Sequence, residues 1–292
     1  MSYRPDGAIL MRSPIQLDGC ERHVCAYLER WAATAPKRTF LAQRDDTGFW
    51  RHLSYAEAWE RSRAIGQALL ERGLGPDRPV AVLTGNSIEH ALVTFGAMTA
   101  GVPVAPISPA YSASAGGRRR LAEIAALLKP AMIFAQSAAA LPEVRRMPEF
   151  AHLPWITVEP AEGAEPLGQF ESVAAYPDAD RAYAAAAPET VAKILFTSGS
   201  TGSPKGVPNT HSMLCAATRA VGLVFPVDEP PVTVDWMPWH HTLGGNSTLH
   251  SILRDGGTMY IDGGRPLPSQ FDETIRNLTE IPTTVVQNVP VG

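Results

Sequence analysis

The sequence predicts an α/β fold with doubly wound, mostly parallel sheets. Three observations point there. Short apolar runs such as Val80 to Leu83, Val102 to Ile107 and Ala131 to Ala135 alternate with longer amphipathic segments. The joins between them are short, as in successive βαβ units with parallel strand pairs. The 292 residues are 45% hydrophobic and 18% charged, enough to enclose one large core or two.

Taken in order, the elements begin with a helix over Cys20 to Ala35. Val24, Tyr27, Leu28 and Trp31 recur at helical spacing, and Pro36 stops it. Thr39 to Gln43 reads as a strand, Asp45 to Gly48 as a turn, and Phe49 to Leu53 as the returning strand of a hairpin. Ser54-Tyr55-Ala56-Glu57 is a capping box. It opens a helix to about Arg72 that buries Trp59, Ile65 and Leu69 and stops at Gly73. Strand 80–83, helix 88–100 and strand 102–107 make one βαβ unit. Helix 118–128, strand 131–135, a short helix over 142–150 and strand 155–158 extend it. Glu159 to Pro188, rich in Ala, Pro and Glu, reads as a surface excursion. Val191 to Phe196 is a short buried strand. A helix capped by Asn209 or Thr210 runs to about Phe225. Strand 232–235, helix 246–254 ended by Gly256-Gly257, strand 258–261, helix 269–280 and strand 283–286 complete the chain.

Charge and composition narrow the function. The net charge of −4 carries no basic stripe for nucleic acid. Arg118-Arg119-Arg120 reads as a solvated helix start. Three cysteines, Cys20, Cys25 and Cys215, with no signal peptide at Met1 to Leu17, point to reduced thiols and a cytoplasmic protein. No Cys or His pair has zinc-like spacing, so no metal site is assigned. No apolar run reaches membrane-spanning length.

The densest stretch is Ile194-Leu195-Phe196-Thr197-Ser198-Gly199-Ser200-Thr201-Gly202-Ser203-Pro204-Lys205-Gly206-Val207. A strand, a glycine-rich turn and a helix make a phosphate cradle. Glycines let backbone N–H groups approach a phosphate, hydroxyls add donors, and Lys205 adds a charge suited to a leaving pyrophosphate. A flexible linker has similar composition, but it does not sit between an aliphatic strand and an amphipathic helix. A Walker-type P-loop fails on its spacing. Thr197 to Val207 resembles the signature loop of the adenylate-forming superfamily, which contains acyl-CoA synthetases, luciferases and peptide-synthetase adenylation domains. The resemblance implies that Thr197, Ser198, Gly199, Ser200, Thr201, Gly202, Lys205 and Gly206 hold the phosphates of ATP. It assigns Lys205 and Thr201 to catalysis, with the dipole of the following helix adding positive charge.

The second dense stretch is Asp235-Trp236-Met237-Pro238-Trp239-His240-His241-Thr242-Leu243-Gly244-Gly245-Asn246. Two tryptophans, two histidines and two glycines after a strand suit a pocket rim; tryptophans, however, are most often core, and paired histidines are often surface residues. On a strand, His240 and His241 would point opposite ways and could not share a metal. Pro238, His241 and Gly244 match the superfamily's Pro-x-x-His-x-x-Gly segment. That implies a catalytic His241 near the reacting carboxylate and an acid slot formed by Trp239, His241, Gly244 and Gly245. The wider wording, with Gly256-Gly257-Thr258-Met259-Tyr260-Ile261-Asp262, resembles feruloyl-CoA synthases, although His240 stands where that branch commonly has asparagine.

The resemblance implies an ATP-dependent acid–CoA ligase using ATP, Mg2+ and coenzyme A on a hydroxycinnamate-type acid. Small molecules are the expected partners, and nothing in the sequence speaks to oligomeric state. The expected organisation is a first α/β subdomain over 18–158, a connecting excursion over 159–188, and the start of a second subdomain over 189–292. The superfamily's later elements are not found: an adenine and magnesium segment, a ribose-binding aspartate, a hinge, and a C-terminal domain with its catalytic lysine. The 292 residues alone are therefore expected to be an inactive N-terminal portion. The alternatives are a catalytically incomplete fragment with little nucleotide binding, or a synthetase for another carboxylic acid.

Overall fold

The computed structural model describes residues 1–197 and 202–289. A small hairpin, β1 (Ser2–Tyr3) and β2 (Ile9–Leu10), precedes α1 (Cys25–Thr34). Then come β3 (Thr39–Arg44), β4 (Trp50–Ser54), α2 (Tyr55–Glu71), β5 (Val80–Val82), α3 (Ile88–Thr99) and β6 (Val104–Pro106). They are followed by α4 (Ala110–Ala113), α5 (Ala115–Leu128), β7 (Met132–Ala135), α6 (Pro142–Arg145), β8 (Trp155–Thr157) and β9 (Glu165–Pro166). Next are α7 (Leu167–Glu171), α8 (Pro177–Ala185), β10 (Val191–Thr197), β11 (Lys205–Thr210) and α9 (His211–Val224). The last elements are β12 (Val232–Asp235), α10 (Leu249–Arg254), β13 (Thr258–Ile261) and α11 (Phe271–Glu280).

Two sheets organise these elements. The larger runs in the order β11-β10-β6-β5-β7-β8-β9 and is parallel except for the β10–β11 pair. Its strand order reverses about β5, the arrangement that opens crevices at the carboxyl ends of strands. The smaller runs β12-β13-β3-β4, with β3–β4 antiparallel. The α/β fold with mostly parallel sheets is therefore as expected. The sheets do not follow the linear division at 158 and 189, however. β3 and β4 pair with β13, and β10 pairs with β6, so each sheet draws on both ends of the chain.

The larger sheet is buried on both faces. Val80, Val82, Val104 and Phe134 join a core with α1, α2, α3 and the smaller sheet. Ala81, Ala105, Ile133 and Ala135 face Leu121, Ile124 and Leu128 of α5. Every residue of α3 is buried. It meets α2 closely: a Cβ on Gly96 would stand 2.6 Å from Ile65 Cγ2. The capping box at α2 is formed in both directions between Ser54 and Glu57.

Four expectations change. Residues 159–188 are an ordered layer, not an excursion. Leu167, Phe170, Ala179 and Tyr183 are buried, and Arg61–Glu171, Arg63–Asp180 and Arg72–Glu165 pairs tie the layer to α2 and its C-terminal cap. The first helix begins at Cys25, whose N–H donates to His23 Nδ1 at 3.0 Å. Residues 283–286 form no strand, because Thr284 N and Val285 N both donate to Val232 O and no ladder continues. Between the signature loop and α9 lies the unexpected strand β11, so the motif is strand–turn–strand. Val191 pairs with Thr210 and Thr197 with Lys205. The N-terminus of α9 therefore sits at the far end of the hairpin, roughly 20 Å from the loop at ~3.3 Å per residue. Its dipole, which falls off within the first turn, does not reach the loop.

The interior holds several histidines. His23 and His211 stack with ring centroids 3.6 Å apart. Burial lowers His211 and His90 from 6.5 to about 4, His23 to about 2, and His250 well below its ordinary value. Because these folded-state values lie below the unfolded ones, their contribution to stability is complete above pH 6.5 and is lost as pH falls toward about 4. Asp235, raised to about 7 by burial, acts in the opposite sense, but it is one group against five, since His240 is also lowered to about 4. The melting temperature should fall steadily from pH 6.5 to about 4, and His211→Gln should flatten that slope. A melting temperature constant over this range in buffered thermal scans would contradict it.

Candidate active site

Both sequence motifs arrive at the carboxyl ends of β6 and β10. Phe196 and Thr197 end β10, and Pro106, Ile107 and Ser108 end β6 and lead out of it. The chain leaving β12 turns at Trp239 and His240 and brings His240 and His241 over these ends. Pro106, Ile107 and Ser108, with Tyr111 of α4, Phe196, His240 and His241, line a recess of about 120 Å³.

The histidines are not on a strand, and both face this recess, contrary to the alternation expected of one. Their ring centroids are 4.4 Å apart at 47°. His241 is exposed and His240 half-buried. Burial and the neighbouring His241 lower His240 from 6.5 to about 4.

Of the residues expected to hold phosphate, Thr197 and Lys205 face each other as the last pair of the hairpin, and both are exposed. Ser198, Gly199, Ser200 and Thr201 lie outside the described residues. Gly202 has φ +87°, a region glycine enters freely. Its carbonyl accepts from Arg120 Nη2 at 3.2 Å. Gly206 backs onto the Phe196 ring, where a Cβ would come within 3.3 Å. A cavity of about 320 Å³ beside the loop is lined by Tyr111, Ser114, Arg119, Arg120, Glu123 and Gly202 among others. Arg119 and Arg120 are therefore part of the loop's surroundings rather than a plain solvated helix start.

The aromatic rim expected of Trp239 is corrected. Its ring is 2% exposed and turns inward edge-on to His90, with centroids 5.2 Å apart. Phe196 and Tyr111 supply the recess's aromatic surface instead. Gly244 and Gly245 are buried too. They let the segment fold on itself: a Cβ on Gly244 would stand 2.5 Å from Met237 O, and one on Gly245 2.1 Å from Trp239 O. Both lie within a π-helical turn, Thr242–Thr248, that leads into α10.

Sequence reasoning missed Asn86 and Lys193. Asn86 follows β5 and bonds the histidine segment. Lys193 is 1% exposed on β10. The signal for Lys193 was a lone charge inside an otherwise apolar strand. Burial lowers its pKa from 10.5 to about 7. Among the described residues, no group of three His, Cys, Asp or Glu side chains could hold a metal, and no helix is long and apolar enough to cross a membrane.

This arrangement has relatives. The model of the AMP-binding enzyme family matches residues 28–291, and the chain belongs to that family. It is 32% identical over 202 residues to a dimodular nonribosomal peptide synthase of Bacillus subtilis, covering 68% of this chain and 8% of that protein. It is 29% identical over 248 residues to a 3-[(3aS,4S,7aS)-7a-methyl-1,5-dioxo-octahydro-1H-inden-4-yl]propanoyl:CoA ligase of Mycobacterium tuberculosis, covering 82% and 46%. A fatty acyl-adenylate ligase from L. pneumophila, solved with acyl adenylate and pyrophosphate, superposes with a TM-score of 0.67 at 19% identity, over 89% of this chain and 42% of that one. The chain spans less than half the length of each of these proteins.

Gly245→Ala should lower stability by roughly 1–3 kcal/mol, since its Cβ has no room. Gly116→Ala on α5 meets nothing within 4 Å and should be neutral or stabilising. Thermal melts of the two variants check this; equal melting temperatures would mean the segment is looser than the structure shows.

Proposed function

We propose that this chain carries the phosphate-binding and acid-facing surfaces of an ATP-dependent acid–CoA ligase, acting on an aromatic, hydroxycinnamate-type acid such as ferulate. The observation that carries the reading is the shared recess. His241 and the strand end leading into the phosphate loop border one small cleft at the carboxyl ends of β6 and β10. A carboxylate held there stands beside a triphosphate held on the loop.

In this reading ATP lies with its β- and γ-phosphates on Thr197 to Gly206. The carboxylate enters past His241 and attacks the α-phosphorus. An acyl–phosphate bond forms, the bond to the β-phosphate oxygen breaks, and pyrophosphate leaves. Lys205 offsets charge gathering on pyrophosphate, with Thr201 as a hydroxyl donor. His241 orients the acid. Coenzyme A then attacks the acyl-adenylate, forming the thioester and releasing AMP. Magnesium would enter with the nucleotide; among the described residues the recess lining contains no carboxylate to hold it. Phe196 and Tyr111 offer flat apolar surface to an aromatic acid.

Activation of an amino acid is the second reading, favoured by the 32% identity to a peptide synthase. Acid-dependent ATP–pyrophosphate exchange by the full-length protein separates the two. Hydroxycinnamates should support exchange and amino acids should not; the reverse result would establish the second reading. Lys205→Ala should slow exchange about 10²–10³-fold. His241→Ala should lose acid-dependent exchange while still binding ATP. Near-normal exchange in either variant would remove the role given to that residue.

A further inference from the structure

Two polar side chains outside the recess hold its histidine segment. Half-buried Asn86, in the turn after β5, clasps the start of the segment. Its Nδ2 donates to Met237 O at 2.8 Å, and its Oδ1 accepts from Trp239 N at 2.9 Å. Buried Lys193 holds the other end, donating from Nζ to Gly245 O at 3.0 Å. The backbone connects these anchors to the histidine. Gly245 N donates to His241 O at 2.9 Å, and His241 N donates to Pro238 O at 3.1 Å.

The Lys193 contact is costly for what it does to stability. The residue is 1% exposed, and its bonded partner is a neutral carbonyl. Nearby His250 is fully buried, with neither ring nitrogen hydrogen-bonded among the described residues. An apolar side chain of similar length would fill the strand position without burying a charge. What the Lys193 amine adds is a directed bond to the turn carrying His241. It makes that bond from β10, the strand whose carboxyl end enters the phosphate loop four residues later.

We infer that Lys193 and Asn86 are positioning residues for acid activation, together fixing His241 over the carboxyl ends of β6 and β10. The inference rests on the reading of the recess given above. Asn86 sets the segment from the β5 side of the larger sheet, and Lys193 from the β10 side. Two anchors at opposite ends of residues 237–245 leave the turn one position relative to the loop. Orientation of this kind is lost by small displacements, with large effects on rate.

The test uses the full-length protein and the acid that supports exchange. Lys193→Met keeps the stem and removes the donor; Asn86→Ala removes both bonds and is a second variant if the first fails to fold. Each should lower kcat/KM for the acid at least tenfold while KM for ATP stays within twofold. Lys193→Gln, which keeps a donor toward Gly245 O, should recover most of the loss. Unchanged acid kinetics in a folded variant would overturn the inference. So would equal losses for acid and ATP that follow the melting temperature and are not rescued by glutamine, which would mean scaffold only. Hydrogen exchange at the amides of residues 239–245, without substrates, reads the clamp by itself. It should be at least tenfold faster in Lys193→Met with β5 amides unchanged, and equal rates would overturn the clamp. If no acid supports exchange in the wild type, the ligase reading fails, and amide exchange still decides the clamp.

Discussion

The parallel pairing of β13 with β3 is the interaction on which the rest depends. Met259 lies opposite Leu41, Tyr260 opposite Ala42 and Ile261 opposite Gln43. Without that register the smaller sheet falls apart into the β3–β4 hairpin and a separate β12–β13 pair. The segment leaving β12 would then not be carried to the larger sheet. Tyr55 reinforces the join, donating its hydroxyl to Gly257 O at 2.7 Å. The aromatic stack of Phe40 on Tyr55 fills the space beneath it. The recess is thus a product of two sheets held in fixed relation by main-chain bonds and a shared core.

The site itself is built from backbone positions more than from a set of interlocked side chains. Two strand ends, one turn and one short helix meet, and the histidines project from the turn. Glycines at 244 and 245 permit the turn because a side chain at either would strike carbonyl oxygens already in place. The membership of the AMP-binding enzyme family fits this construction. Related folds can take different acids by changing side chains around a recess while leaving the strand ends alone. That separation of scaffold from lining leaves the strand ends common to the family and the recess lining free to differ.

Much of the fold was legible in the sequence because local signals agreed with tertiary structure. Ser54 and Glu57 make the box that their spacing announces, Gly73 takes φ +72°, and Thr210 caps α9. Strands buried on both faces read as plain apolar runs. What was not legible depended on distant partners. β11 has an exposed, glycine- and proline-containing sequence and exists because β10 offers it a ladder. Residues 159–188 look featureless until α2 supplies the surface and the arginines they pack against. Trp239 looked like a rim because aromatic density does not tell which way a turn will aim a ring. Asn86 and Lys193 bond backbone atoms far along the chain, and no spacing rule marks such contacts.

The same β3–β13 join has a consequence for the order in which the molecule can be made. Thr258 Oγ1 donates to Thr39 O across 219 residues of chain. During synthesis the β3–β4 hairpin emerges well before the strand that completes its edge, since Thr258 follows Thr39 by 219 residues. Contacts of such long sequence separation form slowly. Until they do, β3 presents unpaired N–H and C=O groups beside apolar Phe40 and Leu41, a template for wrong pairing. The nascent chain is thus most vulnerable to aggregation at its first sheet edge, and that vulnerability ends only when Thr258–Ile261 arrives.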